Sequence, residues 1–131
     1  MIADRVETVR RIYDEWGRGN FRAGTELFDP NVMLVLNPDF PEPGAYVGPE
    51  QIGEYMRDLL ASYTGFTIAG KDFVGAGDSV VVEVHQAGTG ATSGAPTNHH
   101  YFQVWSFRGE SVIRIESIQE RRAALAAVGL S

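Results

Sequence analysis

Residues 98–107 combine aromatic rings with hydrogen-bonding groups in an alternating pattern. In a β-strand, every second side chain points to the same face. One face of this stretch would carry His99, Tyr101, Gln103, Trp105 and Phe107. An ordinary core face would carry Val, Ile and Leu, whereas rings mixed with a few polar atoms are typical of a pocket wall that binds and orients a ligand. We therefore predict that this face lines a pocket for a small molecule.

The elements that position this strand follow from hydrophobic periodicity. A stripe at helical spacing predicts a first helix ending near Gly17, with Val6, Val9, Tyr13 and Trp16 on its apolar face. A short second helix would carry Phe21, Leu27 and Phe28, and a third would begin at Gly48 with Pro49 in its first turn. A last helix is predicted over residues 120–128, and its two turns need docking to be stable.

Period-two patterns predict strands over residues 32–36, 66–74, 79–87, 98–107 and 112–118. The short turns between the later strands predict an antiparallel meander, with residues 88–97 as a hairpin tip and the proline-rich residues 37–44 as an irregular rim. Three N-terminal helices before such a meander predict an α+β fold. We expect a strongly curved antiparallel sheet wrapped around the helices, which makes a cone with one open end.

Composition limits the function classes. The chain has 131 residues, which predicts a single domain over residues 1–131. A net charge of -6 disfavours nucleic acid and anionic membranes as partners, and the absence of Cys excludes thiol chemistry. Apolar runs such as residues 32–36 are far too short to span a bilayer, so we expect a soluble cytoplasmic protein. Nothing in the sequence calls for a cofactor, and we predict none.

Several segments along the chain carry a family resemblance: residues 12–21, 27–32, 46–50, 77–78, 107–110 and 124–130. With them the chain resembles the SnoaL-like polyketide cyclase and ketosteroid-isomerase-like superfamily, also called nuclear-transport-factor-like. The resemblance implies the cone fold. It leaves the chemistry open, because the superfamily includes isomerases, dehydratases, cyclases, hydrolases and binding proteins.

The resemblance does not extend to the steroid isomerase residues. Ile12 stands where the isomerases have an oxyanion-hole Tyr, with Tyr13 one residue away, and Gln103 stands at their late-strand Asp. The proton-transfer Asp falls near Leu36 or Asn37. Amides do not titrate near neutral pH, so classical ketosteroid isomerase activity is not expected.

The resemblance implies which alternate residues of each strand face the inside of the cone, a property called strand parity here. With this parity, Glu83 and His85 point into the cone, and so does Ile115 of the last strand. His85 would then be the catalytic acid or base and Glu83 would orient it. A hairpin symmetric about Ser93 pairs His85 with Tyr101, whereas a shift by one residue pairs it with His100. With the opposite parity, Glu83 and His85 would be solvated instead.

The same parity turns a valine row outward, and such a row suits a subunit interface. We expect a homodimer through the outer sheet face, formed by Val80, Val82, Val84, Phe102 and Val104. A metal site is not predicted, because the adjacent His99 and His100 point to opposite faces and no tight ligand spacing is present.

The predicted partner is a small apolar or aromatic ligand. Tyr13 and Trp16 from the first helix and Ile115 from the last strand would contact it together with the first face of residues 98–107, where Tyr101 and Gln103 would polarise a carbonyl. We predict a cofactor-free enzyme that transfers a proton on an apolar ring compound, in a cyclisation, dehydration or isomerisation. The alternative is a non-catalytic binding or accessory protein.

Overall fold

The computed structural model describes residues 2–37 and 44–130. The helices within these ranges are α1 (Ile2–Gly17), α2 (Gly48–Ala61) and α3 (Arg121–Ala127). The strands are β1 (Phe28–Leu36), β2 (Gly44–Val47), β3 (Tyr63–Ala76), β4 (Ser79–Gly90), β5 (Pro96–Arg108) and β6 (Ser111–Ile118). The α+β cone is confirmed: the helices accompany one curved, unclosed sheet.

The strand order is β2-β1-β6-β5-β4-β3. Strands β3 to β6 form the predicted antiparallel meander, but β1 pairs with β6 in parallel, so the sheet is mixed rather than purely antiparallel. The chain leaves β1 through β2 and α2 and re-enters the sheet at its far edge as β3. Leu34 lies beside Ile115 in the parallel pair, which places two apolar side chains side by side on the inner face.

The main core lies between the helices and the inner sheet face. Val9, Ile12 and Tyr13 of α1 are buried there against β3 and β4. Gly70 of β3 allows this close approach, because a Cβ at that position would lie 2.9 Å from Val82 Cγ1 and 3.0 Å from Tyr13 Cγ.

The expected parity of β4 is wrong. Val80 lies opposite Trp105 and Val84 opposite Tyr101, and these side chains are buried in the main core. His85 therefore pairs with His100 on the outer face, which is the shifted register. The physical reason is simple: in a sheet covered on one face by helices, the valines of β4 gain more from burial than Glu83 and His85 would.

The outer sheet face has a second, smaller core. Helix α3 docks Ala124, which is fully buried, on Val81, Val104 and Ile118. This corrects the expected interface, because Val80, Val82 and Val84 face the main core and Val104 is buried beside α3. The homodimer itself stays a prediction, without the valine row that suggested it.

Three local predictions change. The short second helix is a single 3-10 turn at Thr25–Leu27. The hairpin strands continue to Gly90 and from Pro96, so the expected ten-residue tip narrows to residues 91–95. Strand β2 was not predicted, and most of the expected rim, residues 38–43, lies outside the described residues. No helix within the described ranges is long and apolar enough to cross a membrane.

Candidate functional site

A cavity of about 890 Å³ lies between α1, α2 and the inner sheet face. Its walls are mainly apolar and aromatic, with Trp16 from α1, Ile52 and Tyr55 from α2, and Leu34, Leu36, Ile68 and Ile115 from the sheet. Its polar lining includes Gln86, His99, Gln103 and Ser117. A cavity of this size with mainly apolar and aromatic walls is typical of a site for a drug-sized organic ligand.

A chain of hydrogen bonds runs from the core to the cavity wall. Trp105 Nε1–H donates to the Tyr13 hydroxyl at 3.1 Å, and that hydroxyl donates to Gln103 Oε1. Gln103 Nε2 then donates to Ser117 Oγ at 3.2 Å. An indole N–H can only donate, so the Tyr13 hydroxyl accepts from Trp105 and uses its single hydrogen to donate to Gln103 Oε1. The amide oxygen of Gln103 therefore faces Tyr13, and its amide nitrogen faces Ser117.

The direction of this hydrogen-bond chain leaves hydrogen-bond donors facing the cavity. Gln103 is 7% exposed and Ser117 is 1% exposed, and both line the cavity. The Gln103 amide has a second N–H and the Ser117 hydroxyl has one hydrogen, both suited to a ligand oxygen. Neighbouring hydrogen bonds of a buried chain also polarise one another.

Two buried tyrosines give the site hydroxyls that stay neutral. Burial raises the pKa of Tyr13 well above its ordinary value, the charge of Tyr101 adds to this, and the Trp105 hydrogen bond opposes it. Burial, followed by the charge of Tyr55, also raises the pKa of Tyr101, whose hydroxyl donates to Gln86 Oε1 at 2.9 Å. Near neutral pH both phenols can donate and accept hydrogen bonds, but neither serves as a base.

His99 is the imidazole of the cavity. Its Nε2 lies 2.9 Å from Gln119 Oε1. An amide oxygen can only accept, so Nε2 carries the hydrogen and Nδ1 carries the lone pair when the ring is neutral. The His99 ring also lies 4.8 Å from the Tyr101 ring, between centroids.

The structure brings five of the predicted ligand-binding residues to the cavity wall: Trp16, His99, Tyr101, Gln103 and Ile115. The other three lie deeper in the main core. Tyr13 and Trp105 stand behind the wall, where they fix Gln103 through the hydrogen-bond chain. Phe107 is buried at the end of the core near α1, with the Arg5 guanidinium 5.7 Å from its ring centroid.

The two predicted catalytic residues do not reach this cavity. Glu83 lies on the outer face, where its carboxylate pairs with Lys71 at 3.0 Å and Arg121 at 3.3 Å. His85 stacks on His100, and its Nε2 lies 2.9 Å from Asn98 Oδ1. The reversed parity of β4 explains both positions.

Sequence reasoning missed Gln86, which occupies the place on β4 that had been given to its neighbour His85. A signal was available: the inner face of β4 reads Val, Val, Val, Gln at residues 80, 82, 84 and 86, an apolar run that ends in one amide. Strand alternation puts Ser117 on the same face as Ile115, but its contact with Gln103 could not be predicted, since that contact depends on the register between β5 and β6.

Within the described residues, no group of three or more His, Asp and Glu side chains is arranged to hold a metal ion. The cavity wall presents hydrogen-bond donors, aromatic rings and the imidazole of His99, all of which can contact a ligand. Exposed Arg22, Arg57 and Asp58 add charge to its lining.

A model of the SnoaL-like domain matches residues 9–115, which is most of the chain. The chain belongs to the SnoaL-like domain family. The resemblance found in the sequence is thereby confirmed. No curated protein matches the sequence of this SnoaL-like domain.

Solved structures share the fold of this SnoaL-like domain over almost its whole length. An NTF2-like protein from Burkholderia thailandensis E264 has a TM-score of 0.79 at 20% identity, over 96% of this chain and 97% of that one. A protein from Jannaschia sp. CCS1, assigned as a SnoaL-like polyketide cyclase, has 0.76 at 21%, over 98% and 94%. TerC, co-crystallised with polyporic acid, has 0.72 at 19%, over 94% and 95%. At these identities the likeness shows the fold alone.

Proposed function

We propose that this SnoaL-like domain is a cofactor-free enzyme that binds a small, largely apolar ring compound in the cone and transfers a proton on it. Cyclisation, dehydration and isomerisation are the reaction types that fit. The observation that carries the proposal is the cavity itself, because its apolar walls meet two buried donors, on Gln103 and Ser117. Such a site holds a ring and orients one oxygen of it.

In the proposed complex, a carbonyl oxygen of the ligand accepts hydrogen bonds from Gln103 Nε2 and Ser117 Oγ. Both donors are buried, so they strengthen as negative charge develops on that oxygen during proton abstraction. Tyr13 and Trp105 act as positioning residues, since their hydrogen bonds hold the amide in the donating orientation.

His99 replaces His85 as the proposed acid or base. It lines the cavity, and histidine is the side chain that most often acts as a general acid or base. With Nε2 donating to Gln119 Oε1, Nδ1 is the nitrogen proposed to exchange a proton with the ligand.

A non-catalytic binding protein is the second candidate. The observation in its favour is that the deep polar groups are amides, one serine and two tyrosines with raised pKa, none of which acts as a base near neutral pH. In a binding protein, His99 would only contact the ligand as part of the cavity wall.

Ligand binding is tested first, by NMR titration with a panel of polycyclic ketones and their hydrocarbon analogues. Polyporic acid, the compound crystallised with TerC, is included as a probe. We expect Gln103→Leu to weaken ketone binding by about 1 to 3 kcal/mol relative to the matched hydrocarbon, because only the ketone loses a buried hydrogen bond. Equal losses for both ligands would contradict the proposed orientation.

Turnover of any ligand found in this way is then compared between two histidine variants. We expect His99→Gln to abolish turnover while ligand binding changes less than about tenfold, since the amide keeps the shape of the wall. His85→Gln is the matched control on the outer face and should leave turnover unchanged. Ligand binding without turnover in the wild type would favour the binding protein, and loss of turnover in His85→Gln alone would overturn the role of His99.

A further inference from the structure

The outer sheet face carries a pair of imidazoles that the proposed function does not use. His85 of β4 and His100 of β5 are direct cross-strand partners. Their rings are stacked, with centroids 4.3 Å apart and an angle of 3° between the planes. His100 is exposed and His85 is half-buried, so the pair is open to solvent.

Asn98 fixes the orientation of one of these rings. Its Oδ1 lies 2.9 Å from His85 Nε2, and an amide oxygen can only accept, so Nε2 carries the hydrogen. The neutral His85 ring therefore has its lone pair on Nδ1. Histidines that ligate metals show the same arrangement: one ring nitrogen donates to a carbonyl oxygen and the other binds the ion.

The spacing of the pair also suits one ion. Two bonds of about 2.0 to 2.1 Å at a tetrahedral angle separate the ligating nitrogens by roughly 3.4 Å. The two ring centroids lie 4.3 Å apart, so both imidazoles are within reach of a single ion. Because imidazole lone pairs lie in the ring planes and these planes are parallel, the exposed His100 ring must rotate about its side-chain torsions to direct a nitrogen at the ion that His85 binds. The local charge does not prevent binding, because the nearby cations Lys71 and Arg121 both pair with Glu83.

We propose that His85 and His100 form a surface site for a divalent transition-metal ion such as Zn²⁺ or Cu²⁺, with water molecules completing the coordination. Imidazole nitrogens prefer these ions to Mg²⁺ and Ca²⁺, and Cu²⁺ should bind more tightly than Zn²⁺. The proposal departs from the expectation that the chain holds no metal. The expectation rested on the adjacent His99 and His100, which point to opposite faces, whereas the pair that the fold makes is His85 with His100.

Isothermal titration of the full chain with ZnCl₂ at pH 7.5 tests the site, with MgCl₂ as the negative control. We expect one Zn²⁺ per chain and no heat from Mg²⁺. His85→Gln and His100→Gln should each weaken Zn²⁺ binding by at least about tenfold, because a single imidazole remains. Asn98→Ala keeps both imidazoles and should still weaken binding by about tenfold or more, because the ring loses its orienting partner.

His99→Gln is the matched control, because His99 is next in sequence but faces the cavity. It should bind Zn²⁺ like the wild type. The proposal is overturned if the wild type binds Zn²⁺ no more tightly than about 1 mM, or if His100→Gln binds as well as the wild type. An unchanged melting temperature of each variant in chelator confirms that folding is preserved.

Discussion

At the scale of single residues, Gln103 joins the hydrogen-bond chain of the core to the cavity wall. The sequence predicted that Gln103 faces the pocket, because strand alternation is enough to place it. The sequence could not predict that Tyr13 would hydrogen-bond Gln103 from behind the cavity wall rather than line the cavity. That contact joins residues 90 positions apart and depends on how α1 lies across the sheet.

Tyr13→Phe tests the hydrogen-bond chain by its effect on stability. The substitution keeps the ring in the core but removes the hydroxyl that serves both Trp105 Nε1–H and Gln103 Oε1. We expect the free energy of unfolding to fall by about 1 to 3 kcal/mol, because buried polar groups lose their partner. Urea denaturation followed by tryptophan fluorescence measures it.

Tyr63→Phe is the control for this variant. Tyr63 is half-buried, and its hydroxyl has no hydrogen-bond partner among the described residues, so the same chemical change should alter stability by no more than about 0.5 kcal/mol. Equal losses in the two variants would mean that the Tyr13 hydroxyl contributes nothing specific.

At the scale of elements, hydrophobic periodicity predicted which segments form helices and strands, but it did not predict how the strands pair. It predicted α1, α2, α3 and five strands within a few residues of their observed ends. It could not predict the parallel pairing of β1 with β6, which depends on contacts between the two ends of the chain. The parity of β4 was taken from the resemblance, although the Val80, Val82 and Val84 alternation alone indicates the correct inner face.

Helix α3 is expected to depend on docking for its stability. It is a seven-residue helix, so it needs Ala124 against Val81 and Val104. We predict that Ala124→Asp detaches α3, because the fully buried position offers no partner for a charge. Hydrogen exchange of the α3 amides should become at least about tenfold faster, and Ala123→Asp, at an exposed position of the same helix, should leave it nearly unchanged. Similar exchange in both variants would contradict the docking.

At the scale of the whole molecule, one sheet separates two surfaces with different chemistry. Its inner face holds the cavity, with His99, Tyr101 and Gln103, and its outer face holds the His85–His100 pair. The sequence predicted the cone and most of the cavity wall on β5, because both follow from local pattern. The polar groups of β4 were assigned to the wrong face because the parity came from the resemblance, and a shift by one residue exchanges the two surfaces.

The stability of the whole molecule should fall in alkaline solution, and Tyr101 should account for a defined part of the loss. Burial raises the pKa of Tyr101 above its ordinary value of about 10. The native state therefore keeps the phenolic proton at a pH at which the unfolded chain releases it. The stabilisation is fully present below about pH 10 and declines as pH rises toward the native pKa.

The difference in unfolding free energy between the wild type and Tyr101→Phe isolates this contribution, because the other titrating groups are shared by both proteins. We expect the difference to be constant from pH 7 to about pH 9, and to fall above about pH 10 by up to about 1.4 kcal/mol per pH unit, the value for one proton. Urea denaturation at intervals of half a pH unit measures it. A difference that stays constant through pH 11 would mean that the Tyr101 hydroxyl ionises as readily in the native state as in the unfolded chain.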